Sequence, residues 1–384
     1  MAGPTSIDGR REHAPEPRLE RLLALLLEWQ GSDLHMQSGS CPRIRVHGRL
    51  RKVTGESALS DTETVRFAET LMPAQARDRF VQGEEVDFSM QHDDLGRFRV
   101  HVFRQSGSAA LSIRHVPTSI PSFEQLGLPE TLRTLANELR GLILVTGPTG
   151  SGKTTTLAAM IDHINKSREC HVVTIEDPIE IVHRAELAEV SQREIGMDTR
   201  DYASAMRSAM RQDPDVILVG EMRDAETVSA AIHAAETGHL VLSTLHTTDA
   251  VETISRIVDF FPPHQQHQVR VSVASTLKGV IGQRLIPTAF VEGRVPALEI
   301  MVANGRVQQC ILDPDRQADL VEIISQGDYY GMTTFDQSLA RLCADRTVDL
   351  ATAMIYATNP HDLQLLLHRT VDPTPLQPQA LAVG

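Results

Sequence analysis

Residues Gly147 to Thr154 read G-P-T-G-S-G-K-T, which matches the phosphate-binding pattern G-x-x-x-x-G-K-[ST] in full. Glycines in this pattern let backbone N–H groups point inward at phosphate oxygens. Lys153 adds a positive charge for the β- and γ-phosphates, and the Thr154 hydroxyl is a ligand for Mg²⁺. The segment therefore predicts a binding site for ATP and Mg²⁺. The residues expected to contact the nucleotide are Gly147, Pro148, Thr149, Gly150, Ser151, Gly152, Lys153, Thr154 and Thr155.

Polar residues follow three other apolar runs, Val172–Ile175, Val216–Val219 and Leu240–Leu245, each typical of a buried parallel strand. The carboxyl ends of parallel strands meet at one edge of a sheet, where α/β proteins bind their ligands. We therefore expect these polar side chains to lie near the phosphate loop. They are Glu176, Asp177, Glu180, Glu221 and His246.

Glu221 is the residue expected to act as the catalytic carboxylate. A carboxylate at this position orients and polarises the attacking water and helps to hold Mg²⁺. A typical P-loop ATPase has aspartate directly after the apolar strand, whereas this chain has Gly220. The Mg²⁺ shell must then come from Thr154, water, Glu221 and the carboxylates of residues 176–180.

Arginines and histidines supply further candidates for the catalytic machinery. Arg207 and Arg211 lie four residues apart, so both are expected on one helix face, and Arg193 lies upstream. These arginines either stabilise phosphate charge, in the same subunit or across a subunit boundary, or are ordinary surface residues. His239 and His246 flank one strand and are expected to sense the γ-phosphate or to be structural. A metal pair is disfavoured because no third ligand lies nearby.

Composition excludes several classes of protein. The 384 residues are 41% apolar, which predicts a globular protein of about two domains. A net charge of −13 argues against a nucleic-acid binder, which needs a basic footprint. The four cysteines form no C-x-x-C pair and are expected to be buried, reduced thiols of a cytosolic protein. The N-terminal residues do not resemble a signal peptide, and the longest aliphatic run, Leu22–Leu27, is too short to span a bilayer.

The pattern along the chain predicts two domains joined by a linker. An amphipathic helix over Arg18–Trp29 precedes an antiparallel sheet with one polar face, in which His47 and Gly48 form a turn, and helices near residues 62–80. This first domain covers residues 18–116, and Pro117–Pro121 is the expected linker. Residues 1–17 and 372–384 are expected to be disordered tails.

The second domain, residues 122–371, alternates apolar strands with amphipathic helices. This alternation predicts a parallel sheet with helices on both faces. Beyond about residue 262 the pattern is mostly helical, which indicates a helical C-terminal appendage. The expected fold class is therefore α/β.

Four ordered segments resemble the signature boxes of the secretion and type IV pilus ATPase superfamily. They are G-P-T-G-S-G-K-T-T-T-L-A-A-M (Walker A), I-E-D-P-I-E (Asp box), D-P-D-V-I-L-V-G-E-M-R-D (atypical Walker B) and A-E-T-G-H-L-V-L-S-T-L-H-T-T (His box). Three flanking segments, G-S-D-L-H, G-R-F-R-V and G-M-T-T-F-D-Q-S-L, are similar to parts of pilus-retraction (PilT-type) ATPases. The resemblance covers nearly the whole chain, from about residue 19 to 370.

This resemblance implies a PAS-like N-terminal domain, a RecA-like ATPase domain and a homohexameric ring with nucleotide between the two domains. It assigns the catalytic glutamate to Glu221. Arginines of the N-terminal domain approach the phosphates in the family, which points to Arg97 and Arg99 here. It further implies twitching motility as the process, action at the cytoplasmic face of the inner membrane, and an inner-membrane pilus platform protein as partner.

Two features of the sequence bear on whether the protein acts in pilus retraction or in pilus assembly or secretion. Pilus-assembly and type II secretion ATPases usually carry a C-x-x-C zinc insertion and a long N-terminal docking domain. This chain has neither, which favours an ATPase motor that couples ATP hydrolysis to pilus retraction. The A-I-R-N-L-I-R-E-like segment of many retraction motors is replaced by Asn304–Asp313. A divergent retraction motor, an accessory subunit beside a second pilus ATPase, and an assembly or secretion ATPase therefore stay open, while a nucleic-acid motor is disfavoured by the charge.

Overall fold

The computed structural model describes residues 16–46, 48–117, 119–290 and 293–370. The chain divides into two compact units, one up to residue 118 and one from residue 119. Of the tails predicted at residues 1–17 and 372–384, residues 1–15 and 372–384 lie outside the described residues, as does the turn residue predicted at position 47. Pro17, placed in the N-terminal tail by the sequence, is the first residue of a helix.

Over its described residues, the first unit is a six-stranded antiparallel sheet of order β3-β2-β1-β6-β5-β4 with three helices. Leu19, Leu22, Leu23 and Leu26 of the first helix are buried, so the amphipathic stripe faces the core as expected. The elements are α1 (Pro17–Glu28), β1 (Asp33–Gln37), β2 (Arg43–Val46), β3 (Arg49–Lys52), α2 (Asp61–Leu71), α3 (Ala74–Val81), β4 (Val86–His92), β5 (Gly96–Gln105) and β6 (Ser108–Val116).

The second unit is built on a seven-stranded sheet of order β13-β12-β7-β11-β10-β8-β9. All neighbouring strands are parallel except the outer pair β12 and β13. The strands are β7 (Gly141–Thr146), β8 (His171–Glu176), β9 (Glu189–Glu194), β10 (Val216–Val219), β11 (Leu240–Leu245), β12 (Leu277–Pro287) and β13 (Arg294–Val302). The central strands β7, β10 and β11 are fully buried, which explains their uninterrupted apolar sequences.

Helices cover both faces of this sheet and form the C-terminal end, as expected. They are α4 (Phe123–Leu126), α5 (Glu130–Ala136), α6 (Lys153–Ser167), α7 (Tyr202–Ala209), α8 (Ala225–Glu236), α9 (Ala250–Asp259), α10 (Pro263–Thr276), α11 (Gly305–Leu312), α12 (Asp319–Ser325), α13 (Phe335–Ala344), α14 (Leu350–Tyr356) and α15 (Pro360–Thr370). The sequence pattern missed β12 and β13, which interrupt the helical region and extend the sheet beyond β7. Among the described helices, none combines the length and the apolar character that crossing a membrane requires.

The cysteines are unpaired, as expected for reduced thiols. Cys310 is buried, whereas Cys41, Cys170 and Cys343 are only partly buried. The prediction of uniformly buried thiols is therefore wrong for three of the four.

Candidate nucleotide site

The loop between β7 and α6 has a backbone conformation that requires its glycines. Gly147, Gly150 and Gly152 have φ values of +139°, +79° and +90°, which side chains other than glycine rarely adopt. A Cβ on Gly147 would lie 2.4 Å from the carbonyl oxygen of Gln283. The loop is thus folded tightly against β12, and its backbone faces the cavity.

Helix α6 begins at Lys153 directly after this loop, and no side chain caps its first turn. Helices α8 and α9, by contrast, are capped by the carboxylates of Asp224 and Asp249. Unpaired N–H groups and the positive end of the helix dipole make the start of α6 a site for an anion.

The Lys153 side chain is buried within the loop that it serves. Its Nζ donates to the carbonyl oxygens of Gly147, at 2.7 Å, and Pro148, at 3.2 Å. Burial lowers the pKa of Lys153, while the nearby Glu221 and Glu180 carboxylates oppose that shift. The ammonium is therefore held at the loop, where a phosphate could take the place of the carbonyl partners.

A cavity of about 660 Å³ opens above the loop, within the size range of small-molecule sites. The loop contributes Thr149, Gly150, Gly152, Lys153, Thr154 and Thr155. The carboxyl ends of β8, β10 and β11 contribute Glu176, Asp177, Glu180, Glu221 and His246. The polar residues predicted at the ends of these strands therefore do meet at the phosphate loop.

Glu221 is held between two basic side chains. One carboxylate oxygen lies 2.8 Å from Nη2 of Arg223 and the other lies 3.2 Å from Nε2 of His246. Burial alone would raise the pKa of Glu221. The hydrogen bond from Arg223 and the interaction with His246 together outweigh burial, so the pKa lies below its ordinary value. Glu221 is thus an oriented carboxylate that stays ionised.

The structure also explains why glycine precedes this glutamate. A Cβ on Gly220 would lie 3.1 Å from the Tyr202 hydroxyl and 3.2 Å from the Ile175 carbonyl oxygen, so an aspartate would be crowded. The Gly220 carbonyl accepts a hydrogen bond from the Thr244 hydroxyl at 2.7 Å, which fixes the end of β10 against β11. The carboxylate is therefore presented one residue later than in a typical P-loop ATPase.

The three carboxylates after β8 have different environments. Glu176 is buried and accepts hydrogen bonds from Thr174, at 2.6 Å, and Gln192, at 3.1 Å. Asp177 lies 4.0 Å from Arg223, and Glu180 acts electrostatically on Lys153. Glu176 therefore has a structural role in this conformation, while Asp177 and Glu180 face the charged groups of the cavity.

Comparisons with known proteins identify the family of this chain. The family model described as type II/IV secretion system protein matches residues 12–323. The chain belongs to this secretion system family. It is 41% identical to the type IV pilus retraction ATPase PilT of Pseudomonas aeruginosa, over 90% of this chain and 99% of that protein. It is 44% identical to a twitching motility protein of Neisseria gonorrhoeae, over 78% of this chain and 80% of that protein.

A solved structure of the pilus retraction motor PilT with bound ADP has the same fold. It superposes with a TM-score of 0.83 at 42% identity, covering 90% of this chain and 98% of that one. The α/β fold expected from the sequence, with a PAS-like unit followed by a RecA-like unit, is confirmed.

Within this family fold, His239 does not lie at the nucleotide cavity. It directly precedes β11, at the edge of the sheet where β7 begins, since Leu240 pairs with Gly141. Its Nδ1 lies 2.9 Å from the Ala234 carbonyl oxygen at the end of α8. A six-residue strand of about 20 Å separates it from His246, so within this subunit His239 fits the structural alternative and not the phosphate sensor.

The arginines expected to stabilise phosphate charge lie outside the cavity within this one subunit. Arg207, on α7, forms an ion pair with Glu226, and Arg211 follows the end of α7 at Ala209. The two are therefore not on one helix face, contrary to the expectation. Arg193 lies on β9 and donates to the Asp198 carbonyl oxygen at 3.2 Å.

Arg97 and Arg99 lie on β5 of the first unit, so neither belongs to the sheet that carries the phosphate loop. Arg99 lies 3.7 Å from Asp87 on the adjacent strand. Both alternate with buried Phe98 and Val100, which places them on the sheet face opposite the core.

The sequence reasoning overlooked Arg223 and Gln283. Arg223 follows Glu221 by two residues in E-M-R-D, and this short spacing at a strand end could have identified it. Gln283 lies on β12, where its side chain accepts from the Thr156 hydroxyl and donates to the Ser151 carbonyl oxygen, each at 2.7 Å. No local signal marked Gln283, because its partners are more than 120 residues away in sequence.

The residues present fit a nucleotide and its metal ion. The buried Ser151 hydroxyl has no hydrogen-bond partner at the phosphate loop. The described residues contain no cluster of three or more His, Cys, Asp or Glu side chains arranged around a metal site. The Thr154 hydroxyl and the Glu221 carboxylate line the cavity, and Mg²⁺ usually binds through one or two such protein ligands, water and substrate phosphates.

Proposed function

We propose that this protein is an ATPase motor that couples ATP hydrolysis to the retraction of type IV pili, the process that underlies twitching motility. The observation that carries the proposal is the cavity that joins the Walker A loop to the oriented Glu221 carboxylate. The identity of 41% over nearly the whole length of a pilus retraction ATPase supports the biological role.

The chain's own residues account for the chemistry of hydrolysis. Backbone N–H groups of the loop and of the first turn of α6 bind the phosphates, with Lys153 beside them. The Glu221 carboxylate accepts a hydrogen bond from the attacking water and orients it toward the γ-phosphate. His246 lies next to Glu221 and is placed to respond to that phosphate.

Thr154 and Glu221 are the residues that would hold Mg²⁺, Thr154 directly and Glu221 directly or through water. The ion supplies charge neutralisation on the β- and γ-phosphates. Asp177 and Glu180 face the same cavity, and their carboxylates would complete the shell together with water.

The motor is proposed to act as a homohexameric ring at the cytoplasmic face of the inner membrane. Closure of one unit on the other about residues 117–121 would be the mechanical stroke, with an inner-membrane pilus platform protein as the partner. A net charge of −13 suits contact with a basic loop of such a partner. Arg97, Arg99, Arg193, Arg207 and Arg211 are the candidates for phosphate contacts across subunits.

The test measures steady-state ATPase activity against protein concentration for the wild type, Glu221→Gln and Lys153→Ala, with the mass determined by light scattering in the same samples. We expect activity to rise as the hexamer forms, Glu221→Gln to bind ATP without turnover, and Lys153→Ala to lose binding. A wild type that hydrolyses ATP no faster than Glu221→Gln at any concentration would overturn the autonomous motor.

A second candidate function is an accessory subunit working beside a primary pilus ATPase. The segment Asn304–Asp313, which contains α11, departs from the A-I-R-N-L-I-R-E-like sequence of many retraction motors, and this departure fits an accessory subunit as well as a divergent primary motor. Deletion of the gene in a piliated host distinguishes the two, because loss of the sole motor abolishes retraction and loss of an accessory subunit reduces its force.

A further inference from the structure

Two strands at the edge of the first unit concentrate positive charge. Strands β2 and β3, which we call the basic strand pair, together have eight residues, and none of them is acidic. The whole chain, by contrast, has a net charge of −13. The basic strand pair is therefore opposite in sign to the protein that carries it. Its cations are Arg43, Arg45, Arg49, Arg51 and Lys52.

Acidic residues near the basic strand pair are already paired elsewhere. Asp33, the first acidic residue before β2, has one carboxylate oxygen 2.8 Å from Nε of Arg114 and the other 3.9 Å from Nε of Arg45. Glu56, the first acidic residue after β3, forms ion pairs with two arginines of α1. Within the described ranges, four side chains of the pair make no hydrogen bond or ion pair with another residue, namely Arg43, Arg49, Arg51 and Lys52.

These cations lie on both faces of the sheet at its edge. Strand β3 is the outer strand, and all four of its residues are exposed, including Leu50. Opposite residues of an antiparallel pair share a face, so Arg43 and Lys52 lie on one face. Arg49 and Arg51 lie on the other. The edge of the sheet thus presents charge on both sides and an apolar side chain among the cations.

Protection of the sheet edge does not account for the whole cluster. Lysine and arginine on an edge strand prevent it from pairing with another sheet, which explains the cations of β3. Arg43 and Arg45 lie on β2, which is already paired with β1 on one side and with β3 on the other. Their charge therefore calls for a partner outside the sheet.

An extended anionic surface fits this arrangement better than a small ligand or a nucleic acid. The exposed edge strand offers a surface and not a pocket, so a single phosphate group could not meet cations on both faces. Leu50 suits the boundary between lipid headgroups and acyl chains, where basic and apolar side chains are found together. No residue of the strand pair is aromatic, so the aromatic stacking platform of single-stranded nucleic-acid binders is missing there.

The negative charge of the whole chain does not prevent such a contact. Charges are screened over about 8 Å at physiological ionic strength. An anionic surface that touches β3 therefore interacts mainly with the cations nearest to it. Each lysine or arginine close to an anionic membrane adds to the attraction.

We propose that the basic strand pair binds the headgroups of anionic phospholipids. The inference goes beyond the proposed ATPase function, because it gives the protein a direct contact with lipid in addition to any contact with a membrane protein. The attraction is electrostatic, so it weakens as the salt concentration rises.

The test measures cosedimentation of the full chain with vesicles of phosphatidylglycerol and phosphatidylethanolamine, and with vesicles of phosphatidylcholine. We expect the wild type to bind the anionic vesicles only. Arg49→Gln/Arg51→Gln should weaken this binding roughly 10- to 30-fold, as expected for the loss of two cations near an anionic surface. Arg49→Lys/Arg51→Lys should keep it. The control Arg140→Gln/Arg306→Gln removes the same charge from two exposed arginines of the second unit and should bind like the wild type.

The variant Arg49→Gln/Arg51→Gln should keep the mass and the ATPase activity of the wild type when no vesicles are present, which shows that it folds and assembles. A lower mass by light scattering would instead place the strand pair between copies of the chain and overturn the inference. Equal binding of the wild type to both kinds of vesicle, or equal losses in this variant and in the control, would also overturn it.

Two further results separate this inference from its rivals. A wild type that binds single-stranded DNA but not the anionic vesicles would make the strand pair a nucleic-acid surface and refute the lipid contact. A wild type that binds the anionic vesicles through the strand pair but hydrolyses no ATP would refute the proposed function and leave this inference standing.

Discussion

Glu221 carries out its proposed role in an environment set by Arg223. The guanidinium lies 2.8 Å from the carboxylate and, with His246, brings the pKa of Glu221 below its ordinary value despite burial.

Replacing Arg223 with glutamine removes the main group that lowers the pKa of Glu221, so the effect of burial, which raises this pKa, is no longer opposed by the guanidinium. The acid limb of the pH profile of kcat/KM should therefore move to higher pH, by an amount that solvent limits because Arg223 is more than half exposed. Measurement of ATPase activity from pH 4.5 to 8 checks this, and Arg306→Gln, an exposed arginine on α11, should leave the limb in place.

Glu299 on β13 is a second residue whose environment sets its charge. Burial raises the pKa of Glu299 to about 7, and the Asp249 and Asp336 carboxylates add to the shift, while Arg284 and the hydrogen bond from the Ala250 N–H oppose it. Between pH 4.5 and 7 the folded state keeps a proton that the unfolded chain has lost. The stabilising contribution of Glu299 is therefore complete below about pH 4.5 and falls as the pH rises to about 7.

The variant Glu299→Gln removes this titration and keeps the acceptor for Ala250. We expect it to raise the free energy of unfolding by about 1–3 kcal/mol at pH 8, with a difference that shrinks toward pH 5. Urea unfolding at both pH values measures the effect. Equal differences at the two pH values, or a change of the same size in the exposed control Glu236→Gln, would contradict it.

At the scale of elements, strand β12 holds the phosphate loop in place through Gln283. This buried side chain joins the Ser151 carbonyl to the Thr156 hydroxyl, so Gln283→Leu leaves two buried groups without partners. We expect a loss of about 1–3 kcal/mol in stability and weaker ATP binding, because the loop must be ordered by the ligand itself. Thermal unfolding with and without ATP measures both effects. The exposed variant Gln309→Leu serves as the control, and unchanged ATP affinity in Gln283→Leu would show that the loop is held by other contacts.

At the scale of the whole molecule, each unit has a hydrophobic core of its own, and the proposed ring would combine units from different subunits. The test mixes two inactive variants of the full chain. The double variant Arg97→Ala/Arg99→Ala has its defect in the first unit, and Glu221→Gln has its defect in the second. If the arginines act across subunits, mixed rings contain some sites with both parts intact. The mixture should then hydrolyse ATP faster than either variant alone.

The matched control mixes Glu221→Gln with Lys153→Ala, whose two defects lie in the same cavity of the second unit. This mixture should regain little activity, because no site can combine both intact residues. Light scattering of labelled copies must first show that the rings exchange subunits. If the first mixture then gains no ATPase activity, the arginines act within their own subunit or take no part in the reaction.

Local sequence determined the parts of this protein that depend on neighbouring residues. The apolar run before Gly147, the glycines of the loop and the helix after Lys153 all follow from a contiguous motif, and the convergence of Glu221 and His246 follows from a general property of parallel sheets. The apolar stripe of α1 likewise required only the helical period.

Tertiary structure alone decided the features that depend on distant segments. His239 was expected at the cavity because it flanks a strand, but only the pairing of Leu240 with Gly141 shows that it lies at the opposite edge of the sheet. The pairing of β12 with β7 brings Gln283 to the loop across more than 120 residues of chain. No periodicity or motif encodes such contacts, because they arise from the order of the strands and the packing of the whole sheet.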